Sequence, residues 1–280
     1  MQTFVLKSSN IQKFEKYPNF EFLKFDIRNI DECKQAVSNI DIVFHEAALG
    51  SVPRSINDPI ITNEVNVSGF LNMLVAARDG DVKRFIYAAS SSTYGDSKEM
   101  PKVEDRIGKP LSPYAVTKYV NELYADVFAK TYGFESIGLR YFNVFGRKQN
   151  PNGAYAAVIP KFVLQMMHHQ PVIIHGDGEY SRDFTYIDNV VQANILGLTV
   201  PGIKHQVFNV ATGKDQTVLY LVKAINKILG KNIGPKLLPV RAGDVFRTSA
   251  DISKIKKILK FNPTVKFEDG LKKTIDWFRK

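Results

Sequence analysis

At 280 residues, 44% hydrophobic and 11% aromatic, the chain can bury the core of one large or two ordinary domains, and its lone cysteine, Cys33, excludes an intramolecular disulfide. No apolar run approaches the ~18–20 residues of a membrane span, MQTFVLKSSN lacks a secretory core and no Cys/His cluster has zinc-ligand spacing, so a cytoplasmic chain without metal or membrane partner is expected. The formal charge of +10 invites a nucleic-acid partner, but much of the excess lies in SKIKKILKFNPTVKFEDGLKKTIDWFRK, an amphipathic pattern with solvated lysines, and no nucleic-acid-binding module accompanies it.

In chain order, FEFLKFD reads as a strand, followed by a helix from about Asp31, a strand in IDIVFHEAA and a helix through VNVSGFLNMLVAARDG. Next come a strand in RFIYAASS, a helix in PYAVTKYVNELYADVFAKTYG and a strand in ESIGLRYFNVFG. Strands alternating with helices at this spacing imply right-handed crossovers and a doubly wound parallel α/β sheet of Rossmann type, covered on both faces. Such sheets bind ligands outside the carboxyl ends of their strands. Beyond about Asn150 the turn formers of KQNPNGAYAA and IIHGDGEYSRDF separate shorter runs, while YIDNVVQANILGL and QVFNVAT look regular enough to return to the sheet. A discontinuous division follows: residues 1–150 plus about 180–212 in one domain, and 151–179 plus 213–280 in a smaller C-terminal α/β domain.

In SPYAVTK, Tyr114 and Lys118 stand four apart, on one face of the expected helix. The spacing alone is common in helices. Upstream, YAASSSTYGD carries Ser90, Ser91 and Ser92 off a strand end, a pattern that alone describes a polar loop. Hydroxyls at one strand end and a Tyr-x-x-x-Lys helix opening after the next loop share the rim where such a sheet binds ligands. Together with HEAALGSVPRS, NVSG, RYFNVFG, SRDFTYIDN and AGDVFRTSADISK, these motifs resemble the extended short-chain dehydrogenase/reductase superfamily. Within it the likeness is to nucleotide-sugar 4-epimerases acting on UDP-N-acetylhexosamines or their uronic acids, and it runs from about residue 17 to the C-terminus.

The resemblance implies that NAD is the cofactor, a UDP-sugar the substrate and Tyr114 the acid/base, with Lys118 and the nicotinamide ring favouring its phenolate. Ser90 is then the hydroxyl that hydrogen-bonds the reacting oxygen, and Ser91 a helper on the substrate side. Hydride passes from the sugar's C4 to NAD and back to the other face of a transient 4-keto sugar, with no net oxidation. Sugar dehydratases of the superfamily need an Asp-Glu pair where this chain has Ser91 and Ser92, so epimerisation fits better than elimination. The implied cofactor contacts are Asp26 and Ile27 at the adenine, Ala47 and Ala48 at the pyrophosphate, and Asn66, Tyr114, Lys118 and Tyr141 near the reacting centre. The implied substrate contacts are Asn143, Arg182 and Arg241 at the diphosphate, Asp244 at the ribose, Gly50, Ser51 and Ser91 beside the hexose, and Ala157, Val158 and His175. Guanidinium suits a diphosphate because its planar fork donates paired hydrogen bonds. Small residues at Gly50 and Ser51 leave room for a 2-acetamido group, with Thr248 and Ser249 also bearing on pocket volume. A homodimer built on the helix after NVSG and the helix bearing Tyr114 is a further implication.

The chain departs from this pattern at its start. Family members open with a strand and a Gly-x-x-Gly-x-x-Gly turn, which holds the NAD pyrophosphate. Here FVL matches the end of the second strand, and Lys7 and Ser8 stand where an acidic residue and Asn follow in the family. Two expectations compete: an epimerase whose full product carries about 40 to 50 more residues, the size of a strand, helix and second strand, or a non-catalytic nucleotide-sugar-binding protein that has lost NAD. On either, poor NAD binding and marginal stability are expected of these 280 residues. A reductase with exchangeable cofactor is a third alternative, and a UDP-glucuronate or UDP-glucose 4-epimerase of the same superfamily a fourth.

Overall fold

A computed structural model describes residues 10–152, 156–240 and 246–280. Helix α1 (Ile30–Ala36) begins where the Asn29 side chain accepts hydrogen bonds from the Asp31 and Glu32 amides. Strand β1 (Ile42–His45) follows, then two short helices, Val52–Asn57 and Pro59–Asn63, a π-helical turn at Glu64–Ser68 and helix α2 (Gly69–Asp79). Strand β2 (Arg84–Ser90) runs into a 3-10 turn, Ser91–Tyr94. Helix α3 (Pro113–Tyr132) is capped by Ser112, opens on Pro113 and stops at the left-handed Gly133, and β3 (Ser136–Tyr141) follows. Later come α4 (Val158–Met167), α5 (Ile187–Thr199), β4 (His205–Val210), α6 (Val218–Leu229), α7 (Ser253–Leu259) and α8 (Phe267–Phe278).

The four strands form one parallel sheet in the order β1-β2-β3-β4. Alternate side chains of β2 enter different cores, which is the two-sided burial expected of a parallel sheet. Phe85 and Tyr87 pack with Cys33, Phe70, Leu74 and Phe128 of α1, α2 and α3. Ile86 and Leu139 pack instead with Val190, Ala193 and Phe208, closed over by Ile255 and Leu259 of α7. A third cluster joins α4, α6 and α8 through Phe162, Leu221, Phe267 and Ile275.

FEFLKFD is not a strand. Its residues are irregular, and Phe20, Phe22, Leu23 and Phe25 are exposed. Apolar content alone does not make a strand, because the backbone groups need a neighbouring strand, and none among the described residues lies beside this segment. The continuous helical run Pro59–Asp79 is long and apolar enough to cross a membrane, which the sequence reading did not anticipate. Phe70, Met73, Leu74, Ala76 and Ala77 bury its second half against the sheet as a core helix.

Candidate active site

The carboxyl ends of β1, β2 and β3 and the first turns of α3 converge on one rim. Ser90 ends β2, where its Oγ accepts hydrogen bonds from the Ser92 amide at 3.2 Å and the Ser92 hydroxyl at 2.9 Å. Nearby, the Tyr114 phenol is raised by burial and drawn partly back by the Ser90 hydroxyl. One helical turn on, Lys118 is only 3% exposed and donates its Nζ to the Ala88 carbonyl at 2.7 Å. Burial pushes this ammonium down to about 8, against the opposing pull of the Glu46 and Glu122 carboxylates. The structure therefore brings Ser90, Tyr114 and Lys118 together at a strand end.

Gly95 shapes the loop beyond. Its φ is +52°, and a Cβ there would lie 1.9 Å from the Lys109 carbonyl oxygen, so only glycine fits. Asn66, in the π-helical turn, is buried and locks the loop after β1. Its Oδ1 accepts the Leu49 amide at 2.7 Å, and its Nδ2 donates to Leu49 O at 3.1 Å and Thr117 Oγ1 at 3.2 Å. Thr117 in turn donates to the Tyr114 carbonyl, which ties this loop to α3. The same loop carries Ala47, Ala48, Gly50 and Ser51. A Cβ at Gly50 would meet nothing within 4 Å, while Ser51, at φ 104°, caps the helix Val52–Asn57.

Beside the π-helical turn, a cleft of about 670 Å³ is lined by Asp26, Arg28, Asn29, Ile30, Glu64 and Ser68. Arg28 spans it, paired with Asp26 at 2.6 Å and Glu64 at 3.2 Å. The Asp26 carboxyl is held below its ordinary value by that guanidinium. Ile27 lies over Gly69, where a Cβ would stand 2.7 Å from its side chain.

Tyr141, at the end of β3, donates its hydroxyl to Glu46 Oε1 at 2.7 Å. Asn143 sits at φ 37° with Nδ2 3.4 Å from the Asp183 carbonyl. Arg182 donates to the Ser181 and Phe246 carbonyls, and the two-residue strand Ser181–Arg182 pairs with Arg247–Thr248, so Arg182 and Thr248 are abreast, next to Ser249. His175 ends the strand Ile173–His175 with Nδ1 3.0 Å from Pro239 O, and Ala157 and Val158 open α4. Arg241 and Asp244 lie outside the described residues.

The sequence reading missed four polar residues. Glu46 and Asn194 flank Tyr141, with Asn194 Nδ2 donating to its hydroxyl at 2.9 Å. Buried Asp183 accepts from the Thr212 amide and hydroxyl and the Gly213 amide, pinning the turn after β4. Glu122 pairs with Arg140 through two hydrogen bonds of 2.9 and 2.6 Å. The spacing of Lys118 and Glu122, one turn apart on the buried face of α3, is the signal that bore on Glu122; the other three carry none.

A scan against family models matches residues 3–211 to the NAD dependent epimerase/dehydratase family. Among solved structures, a UDP-N-acetylglucosamine 4-epimerase from Methanobrevibacter ruminantium, in complex with UDP-N-acetylmuramic acid, is 38% identical with a TM-score of 0.90, over 94% of this chain and 84% of that one. A UDP-glucuronic acid 4-epimerase from Bacillus cereus, in complex with UDP-glucuronic acid and NAD, is 33% identical with a TM-score of 0.90, over 98% and 86%. A UDP-glucuronate 4-epimerase of Thermodesulfobacterium geofontis is 34% identical over 276 residues, 97% of this chain and 83% of the relative.

Proposed function

The chain belongs to the NAD dependent epimerase/dehydratase family, and on that premise we propose that it interconverts UDP-N-acetylhexosamines, or their uronic acids, by inverting C4. It is an NAD-dependent nucleotide-sugar 4-epimerase. The observation that carries the substrate-level reading is the Ser90–Tyr114–Lys118 cluster at a strand end, beside a loop whose Gly50 faces open space.

The residues present fit the two ends of NAD. The open cleft lined by Asp26, with Ile27 next in sequence, suits the adenine, and Asn66, Tyr114 and Lys118 suit the nicotinamide end; the glycine turn that holds the pyrophosphate in the family is not among the described residues. When bound, NAD would supply a hydride acceptor for the hydrogen at C4. Tyr114 takes the C4 hydroxyl proton and later gives it back. Ser90 orients that oxygen, and Lys118, sealed from water, lends Tyr114 a positive charge worth more there than in solvent. Ser91 and Ser92 offer no carboxylic acid to protonate a leaving hydroxyl, which favours epimerisation over elimination.

Arg182, with Asn143 and Arg241, is assigned to the diphosphate, Asp244 to the ribose, and Ser51, Ala157, Val158 and His175 to the sugar and base. The cofactor half comprises 1–150 and about 180–212, and the substrate half the remainder. The working unit is a homodimer. Incubation with UDP-N-acetylglucosamine and NAD, followed by proton NMR, is expected to yield UDP-N-acetylgalactosamine, and Tyr114→Phe to lose ~10²–10⁴-fold in rate. Likeness to the two glucuronate epimerases favours a second reading, UDP-glucuronate as substrate. Turnover of UDP-glucuronate alone in the same assay would select it; turnover of neither overturns both.

A further inference from the structure

Thr117 occupies a position that the epimerase reading leaves without a task. It stands between Tyr114 and Lys118 on α3 and is only 3% exposed. A branched side chain is restricted in a helix and its hydroxyl competes for backbone groups, so the partners of a buried helical threonine bear on why it is there. Its proton is committed: Oγ1 donates to the Tyr114 carbonyl at 2.8 Å. Its lone pairs accept Asn66 Nδ2 at 3.2 Å, across 51 positions of sequence.

That order of donors orients the Asn66 amide. With the hydroxyl proton held by Tyr114, Oγ1 can only accept, so Asn66 presents its NH2 group to α3. Its Oδ1 accepts the Leu49 amide at 2.7 Å, and Nδ2 also reaches the Leu49 carbonyl at 3.1 Å. Asn66 is 1% exposed, which shields these bonds from water, and it sits in the π-helical turn Glu64–Ser68, a distortion frequent at functional sites. Leu49 lies in the loop between β1 and the helix Val52–Asn57, flanked by Ala48 and Gly50, and one side chain takes both of its backbone polar groups. A chain of hydrogen bonds therefore runs from this loop, through Asn66 and the Thr117 hydroxyl, to the backbone of Tyr114.

We propose that Thr117 is a positioning residue whose hydroxyl pins the loop around Leu49 to the first turn of α3, so that a sugar seated on the loop meets the Tyr114 phenol at one fixed distance. The consequence for turnover rests on the epimerase reading; the pin itself does not. A misplacement of about 1 Å between reacting groups can cost ~10²-fold in rate, so loosening the pin acts on the reaction step more than on binding.

The test removes the hydroxyl and keeps the shape. Thr117→Val leaves one Asn66 N–H buried without its partner, whereas Thr117→Ser keeps the oxygen and loses only a methyl. By NMR, the Leu49 amide is expected to exchange at least ~10-fold faster in Thr117→Val, beyond any change at Ile86 in the sheet core, and to return to the parent rate in Thr117→Ser. In the UDP-sugar assay, kcat is expected to fall by ~10- to 100-fold in Thr117→Val with KM within about threefold of the parent, and to recover in Thr117→Ser. Leu49 exchange unchanged in Thr117→Val overturns the proposal, and so does an equal rise at Leu49 and Ile86, which is general loosening. A higher KM with kcat unchanged also overturns it, since the loop then holds substrate without reference to Tyr114. Should Thr117→Val not fold, Thr117→Ala removes the same oxygen and carries the same expectations. If no UDP-sugar is turned over by the parent chain, the epimerase reading fails alone, because exchange at Leu49 still decides the pin.

Discussion

Lys118 carries a positive charge into a site with almost no water, and the fold bears the cost. Its ordinary value of 10.5 becomes about 8 in the folded chain, so between those two pH values the unfolded state binds more protons than the folded one. This group's contribution to stability therefore grows as pH rises from 8 toward 10.5 and is lost as pH falls through 8. Lys118→Met removes a buried charge at the expense of one hydrogen bond to Ala88. We expect the melting temperature at pH 7 to hold or rise while turnover falls by ~10²–10⁴-fold, the exchange of stability for activity typical of catalytic sites. A melting temperature lower by several degrees would show that the Ala88 hydrogen bond outweighs the desolvation. At this scale the sequence was partly legible. Ser90, Tyr114 and Lys118 stand at informative spacings along one strand and one helix. Glu46 does not, because its partners lie 95 positions downstream, at Tyr141, and on the same β-sheet rim rather than in any motif.

Helix α3 shows how one element serves two masters. Its inner face buries Ala115, Lys118, Glu122, Ala125 and Ala129, while Val116, Leu123 and Val127 stand 48%, 47% and 52% exposed along the outer face. Positions seven and four apart form a continuous stripe on a helix, and an apolar stripe left in water suits the same helix of a second copy. Light scattering is expected to give twice the chain mass, and Leu123→Glu with Val127→Glu to give a monomer. A native chain that runs as a monomer would remove the dimer from the proposal. Element types were legible wherever an apolar run had neighbours on both sides, as in RFIYAAS and SIGLRY. FEFLKF is also rich in apolar residues but has no strand beside it among the described residues, and pairing is a property of the partner, invisible in the run itself.

Across the whole molecule, Arg140 joins segments that are far apart in sequence. It bonds Glu122 of α3, donates to the Glu104 carbonyl and lies 4.8 Å over the Tyr94 ring. Tyr94 in turn donates to Asn209 of β4, whose side chain reaches the Lys102 and Asp251 carbonyls. Breaking a buried pair strands the other charge, so Arg140→Met should cost ~3–5 kcal/mol in denaturant titration, and the added change Glu122→Leu should recover much of it. An Arg140→Met variant as stable as the parent would mean that the pair is dispensable. The doubly wound order was legible from alternating runs, and so was the return of QVFNVAT to the sheet, now paired with β3. The hub was not, since its members share no period. One feature of the sheet bears on how the site behaves in time. Strand β1 ends the sheet among the described residues, and the loop from Glu46 to Ser51 hangs from a strand laddered on one side only. The loop is held besides by the Asn66 bonds to Leu49 and by Tyr141 at Glu46, so its release takes those bonds as well as the β2 ladder, and a ligand bridging the loop to α3 is expected to act as a brace that slows amide exchange there.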